Sequence, residues 1–226
     1  MRKIVTLTAA GLMASTLAAG AATVQNGSFE VDPGVKSQGV GNHGKGSTFA
    51  DMPTSGKSWG IWQDAYPGWD TDDVNGIEIQ TKRTLGLTPY EGDYYAELDS
   101  RNNSSIMQDL MLSAGKYILS FAYAPRTNDA NTNGIKFGVE GVFEDVITGP
   151  TADILKKQWT LVTTEFTVAQ AGSYSLFFKA DGKSNSYGGL IDDIALAPAP
   201  VPLPAAGLLL LGGLGGLAAM RRKRKS

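Results

Sequence analysis

The sequence predicts an all-β protein, a β-sandwich of two stacked antiparallel sheets, carried between two apolar termini. Short runs rich in β-branched and aromatic residues, separated by Gly, Asn, Asp and Pro clusters, fill the middle of the chain, and no stretch there repeats with a 3.6-residue period. Both ends are apolar and edged with Arg and Lys. These observations divide the 226 residues into five parts: 1–21, 22–197, 198–204, 205–220 and 221–226.

At the amino terminus Arg2 and Lys3 precede an apolar stretch, Ile4 to Ala18, and Ala19-Gly20-Ala21 offers the small-x-small pattern of a signal peptide. Cleavage is expected after Ala21 or Ala22. At the other end, Ala205 to Met220 carries no charged or polar side chain and runs into Arg221, Arg222, Lys223, Arg224 and Lys225. As a helix this segment spans ~24 Å at ~1.5 Å per residue, short of the ~30 Å hydrocarbon core of a bilayer, and counting from Val201 makes it long enough. Gly212, Gly213, Gly215 and Gly216 argue against a core helix in water. The basic tail stays cytoplasmic, which leaves the body outside.

The body holds thirteen basic and twenty-two acidic residues between the two terminal segments, a net charge of −9. Such a surface excludes nucleic acid and anionic lipid as natural partners. The chain has no cysteine, so disulfides, thiolate metal sites and cysteine nucleophiles are excluded as well. A body of this size buries a single core without such staples.

In chain order, strands are expected at 24–30, 77–81, 94–99, 105–112, 117–124, 134–140, 142–148, 159–168, 173–180 and 190–197. In YILSFAYA, Tyr117, Leu119, Phe121 and Tyr123 alternate with smaller residues, and in SYSLFFKA, Tyr174, Leu176 and Phe178 repeat the pattern. Asp32 to Lys57 is Gly/Ser-rich and matches no strand, the character of a long functional or mobile loop. Pro198 to Pro204 reads as an extended spacer.

Several motifs dissolve on inspection. GVGNHGKGS at 39–47 contains GxGxxG and most of a phosphate-binding loop, but Gly46 stands where Ser or Thr must hold Mg²⁺, and no strand-to-helix context surrounds it. His43, the single histidine, lies in this Gly-rich loop and reads as solvated rather than as part of a catalytic triad. DTDDVNG at 70–76 fails the calcium-loop spacing at Val74, which cannot ligate.

LIDDIALA is more informative. Strict alternation puts Leu190, Asp192, Ile194 and Leu196 on one face, and if that face is the core, Asp192 points inward. A buried carboxylate needs a cation or several donors. Calcium, with Glu30 as a second ligand if the terminal strands are neighbours, meets that need, and so do loop amides.

Taken in order, NGSFE (26–30), PGW (67–69), YEGDYYAELDS (90–100), SIMQDL (105–110), GKYILSFAYAPR (115–126), Trp159, SYSLFF (173–178) and GGLIDDIAL (188–196) resemble the calcium-binding jelly rolls of carbohydrate-binding modules and galactose-binding-like domains. The resemblance implies a jelly-roll fold and a structural calcium held by Glu30 and Asp192, with Asp193 beside them. The chain end is similar to the PEP-CTERM sorting signals in their VPLPA variant, here Val201-Pro202-Leu203-Pro204-Ala205 before the apolar helix and the basic Arg221 and Arg222. No Glu stands between the prolines, a departure from the main pattern. This second resemblance implies transient anchoring in the inner membrane, processing by an exosortase-type enzyme, and a secreted or surface-attached product of the extracellular matrix, as in a biofilm.

Sugars present flat C–H faces to aromatic rings, so Trp59, Trp62, Tyr66 and Tyr187 are the candidate contacts for an exopolysaccharide or other glycan. For Trp59 and Trp62 core or loop packing is the reading favoured over sugar contact, since large aromatics are mostly buried. Trp69 and Trp159 are assigned to the core. The leading expectation is a non-catalytic, calcium-stabilised binding or adhesion module. Its rivals are a hydrolase using two carboxylates from among Glu78, Glu97 and Asp99, and a structural matrix protein without a specific ligand.

Overall fold

The computed structural model describes residues 23–38, 59–71 and 74–200. The expected signal peptide, His43 and the GVGNHGKGS segment, the apolar segment 205–220 and the residues assigned to an expected sorting signal, Val201 to Ala205, Arg221 and Arg222, lie outside the described residues. Among the described residues no helix is long and apolar enough to cross a membrane.

Among the described residues, twelve strands form two six-stranded antiparallel sheets. The first has the order β1 (Trp59–Trp62), β4 (Ile77–Thr81), β5 (Tyr94–Glu97), β12 (Gly189–Pro198), β7 (Gly115–Pro125), β10 (Thr160–Val168). The second runs β2 (Ala65–Tyr66), β3 (Trp69–Asp70), β6 (Ser105–Leu112), β11 (Gly172–Ala180), β8 (Ile135–Val139), β9 (Phe143–Ile147). Two four-residue helices, α1 (Lys82–Leu85) and α2 (Ala130–Asn133), interrupt the strands. The expected all-β sandwich is therefore the architecture found.

Alternation explains the core. Tyr117, Leu119, Phe121 and Tyr123 of β7 point inward, as do Leu176 and Phe178 of β11, and all are buried. Phe121 from the first sheet meets Phe137 and Phe178 of the second edge-on, with ring centroids 4.8 and 5.0 Å apart. At one margin Phe166 of β10 stacks on Phe143 of β9 at 4.6 Å, closing the sandwich. A second, smaller cluster lies on the outer face of the first sheet, where Leu87 covers Tyr95, Ala124 and Leu190.

Two expectations change. Residues 24–30 form no strand, because Asn26 and Phe29 take positive φ angles of 50° and 62°, which a ladder does not admit. Side chains fasten this segment instead: Trp69 Nε1 donates to Asn26 O, Tyr66 OH to Phe29 O, and the Gln108 amide brackets Gln25.

The second change concerns β12. Asp192 pairs with Ala122 but Ala195 with Ser120, so β12 carries one extra residue, and Asp193 bends there at φ 49°. Past this bulge the period resets. Ile191, Ile194 and Leu196 all enter the main core, whereas Leu190 belongs to the outer cluster. Asp192 is fully buried as expected, yet it lies on the outer face rather than in the core between the sheets.

Candidate functional site

Glu30 and Asp192 converge on one turn. Gly27 approaches the bulge so closely that a Cβ there would sit 2.0 Å from Ile194 O, and Ile194 N donates to Gly27 O. The terminal segments are thus neighbours, and both carboxylates reach the turn before β5. Asp192 Oδ2 accepts from Tyr90 N (2.8 Å) and Glu91 N (3.1 Å), and its Oδ1 from Asp193 N. Glu30 Oε1 accepts from Asp93 N (2.8 Å) and Tyr94 N (2.9 Å). Gly92, at φ 64° between these amides, leaves room for Glu30; a Cβ would lie 2.3 Å from its carboxyl.

The amides supply hydrogen bonds but no positive charge. Burial pushes Asp192 up to about 7 against the pull of three amides. Glu30 and Asp193 are raised by burial too, with Asp93 and Glu91 adding repulsion at Glu30 and Glu91 at Asp193. No Lys or Arg among the described residues makes an ion pair with any of the three. The donors are all oxygens, which fits a hard cation such as calcium. Among the described residues, however, no three acidic or histidine side chains converge into a cage, so backbone oxygens and solvent must complete any such site.

The four aromatic candidates separate. Trp62 and Tyr66 are 0% and 2% exposed and pack edge-on against each other at 5.2 Å, so the sugar-contact expectation is corrected for both: neither ring has a free face. The reason lies in β1, where Trp62 alternates inward with Gly60. Trp59 stands on the other face, opposite Gln80, and is half-buried. Tyr187 remains 48% exposed, with the Arg126 guanidinium 4.7 Å from its ring centroid. Trp69 is buried in the main core, and Trp159 packs half-buried on the outer cluster, its indole donating to Thr88 O.

A polar network occupies the outer face of the first sheet. Glu78 and Glu97 are directly opposed on β4 and β5, and Gln80 Nε2 donates to both. Arg126 pairs with Glu97 and also donates to Ser186 O, tying the network to the Tyr187 loop. Burial drives the Glu78 carboxyl well up, with Glu97 adding repulsion, and pushes Glu97 up to about 7 against the guanidinium. Both carboxylates are at most 4% exposed and face no solvent.

On the outer face of the second sheet lies an open groove of about 970 Å³, lined among others by Met107, Phe177, Lys179, Lys136, Glu144 and Asp181. Met107 and Phe177, paired across β6 and β11, both face it, and Glu144 stands on the far strand. Phe177 is half-buried. The sequence signal for Phe177 is the pair Phe177-Phe178: on a strand, one of two adjacent rings must face outward.

Solved carbohydrate-binding modules are among the structures this chain is similar to. One is a family 61 module in complex with β-1,4-galactotriose, with a TM-score of 0.45 and 18% identity over 60% of this chain and 91% of that one. Another is a family 35 module from Clostridium thermocellum, with a TM-score of 0.40 and 16% identity, covering 62% of this chain and 92% of that one. An arabinose-bound α-L-arabinofuranosidase is similar over 80% of this chain but 27% of its own, at a TM-score of 0.47 and 12% identity. No protein-family model and no curated protein matches the chain. The two-sheet architecture itself rests on the strand pairing described above.

Proposed function

We propose that the protein is a non-catalytic glycan-binding or adhesion module of the cell surface or extracellular matrix, stabilised by calcium and carried there through a transient inner-membrane anchor. The observation that carries the binding reading is the groove on the second sheet. An outward aromatic, a flexible thioether beside it and a rim of Lys, Glu and Asp side chains supply the apolar platform and the hydrogen-bonding groups that a polysaccharide needs. Tyr187, exposed and steadied by Arg126, is a second contact at the loop before β12.

Affinity electrophoresis and a glycan panel test this reading. Phe177→Ala is expected to weaken binding by about tenfold while leaving the melting temperature near that of the parent, the size of one aromatic contact. Unchanged retardation by every polysaccharide that the parent binds would remove the groove from the proposal. A blank panel for the parent would favour the structural matrix role, and polysaccharide turnover abolished by Glu97→Gln would favour the hydrolase.

Support for calcium comes from Glu30, Asp192 and Asp193, three buried or half-buried acids without a cationic side chain. Calcium bound there would supply the missing positive charge, while the 90–94 amides orient Glu30 and Asp192. Melting is expected to rise with calcium and fall with chelator, and Asp192→Asn is expected to reduce that difference. The anchoring reading rests on Val201 to Ala205 with the basic tail. A C-terminal tag that persists in the inner membrane of growing cells would contradict it.

A further inference from the structure

Asp99 and Asn103 form an isolated antiparallel bridge just after β5, so their side chains leave the same face of a tight hairpin. Both turn toward the 182–187 loop. Asp99 Oδ2 accepts from Asn185 N at 2.9 Å and Tyr187 N at 3.3 Å. Asn103 Nδ2 donates to Gly182 O, and its backbone N–H donates to Ser184 Oγ. The Gly182 carbonyl fixes which way the amide points, since only the NH₂ end can donate to it.

What remains is a pair of acceptors. Asp99 Oδ1 and Asn103 Oδ1 are both buried and accept no hydrogen bond from the protein. Asp99 itself is completely buried. Two acceptor oxygens cannot satisfy each other, and a buried acceptor without a protein donor is a place where a guest, an ion or a water, can sit. The surrounding charge selects the guest. Arg126, the neighbouring cation, is engaged with Glu97, and no ion pair reaches buried Asp99 among the described residues. A site in negative excess, presenting oxygens only, favours a hard cation over a neutral water.

We propose that Asp99 Oδ1 and Asn103 Oδ1 are ligands of a second cation site, of calcium type, which orders the loop carrying Tyr187. One carboxylate and one amide oxygen make it distinct from a cluster of acids, and backbone oxygens and solvent complete its shell. With so few charges its affinity falls in the weak class of extracellular calcium sites, about 10⁻⁴–10⁻³ M. The loop depends on it directly. Ser186 is held at φ 65°, Tyr187 hangs from Asp99 through its own amide, and Gly188 runs so close that a Cβ would lie 2.6 Å from Asp99 N. The site stands independently of the Glu30–Asp192 turn and of any glycan.

Asp99→Asn is the decisive variant. It keeps an oxygen for the Asn185 and Tyr187 amides and replaces the charged ligand oxygen by a neutral NH₂. The metal-stripped full chain is titrated with terbium, excited through tyrosine, with calcium as competitor, and bound metal is counted by equilibrium dialysis. The expected result is one cation fewer in Asp99→Asn than in the parent, whatever the Glu30–Asp192 turn binds, which Glu30→Gln/Asp192→Asn reports separately. Tyr187→Leu is expected to keep that cation and lose part of the sensitised emission. Equal stoichiometry in Asp99→Asn and the parent would overturn the proposal, and so would a parent that binds no cation, which would assign a trapped water to the two oxygens. If Asp99→Asn fails to fold, Asn103→Ser is counted against the parent by the same criterion.

Discussion

Glu78 and Glu97 face each other across β4 and β5, and a single guanidinium compensates them. Burial, with repulsion from its neighbour, drives the Glu78 carboxyl well above its ordinary value. A carboxyl raised in the folded state contributes stability that is fully present below its unfolded value near 4.5 and is lost as pH rises through the folded one. Glu78→Gln is therefore expected to flatten the fall in stability between pH 5 and pH 8 and to match or exceed the parent at pH 8, read from urea midpoints. A variant equally destabilised at both pH values would show that the Glu78 carboxyl is not raised in the folded state. Arg126→Met is the complementary change. Leaving Glu97 buried beside Glu78 without its cation is expected to cost about 3–5 kcal/mol at pH 8.

At the scale of elements, β4 to β12 were legible as runs rich in apolar and β-branched residues between turn residues, with alternation clearest in β7, β8 and β11. β1, β2 and β3 were not: WGIWQDAYPGW breaks into pieces of four, two and two residues, too short for a period to show. The bulge in β12 misleads for a physical reason. Alternation carried through LIDDIALA assigns Asp192 to the face of Ile194 and Leu196, and a single αL residue at Asp193 reverses that assignment without any Gly or Pro to announce it. The meeting of Glu30 with Asp192 was legible only as a condition on the termini, which the turn at 90–94 fulfils. Gly92 makes that turn possible. Gly92→Ala is expected to cost about 1–3 kcal/mol from its φ of 64° and its approach to Glu30. Placed on Glu30→Ala, the same change should cost less, because the obstructing carboxyl is gone; a fully additive cycle would refute the contact.

For the whole molecule, the two sheets are joined through rings rather than through the chain's short helices. Phe121, between Phe137 and Phe178, is the central contact, and Phe121→Ala is expected to lower stability by about 3–5 kcal/mol, measured by calorimetry. A smaller loss would mean that the sheets close over the gap. Two open sheets also leave four outer strands. β9 is one of them, and its sequence FEDVI sets Glu144 and Asp145 at its exposed centre. Acidic side chains on an unpaired margin repel a second copy that would otherwise extend the ladder. At high concentration this is the difference between a dispersed protein and a fibril: Glu144→Val with Asp145→Thr should turn the margin into a seed, visible as thioflavin-positive aggregates at concentrations where the parent stays dispersed.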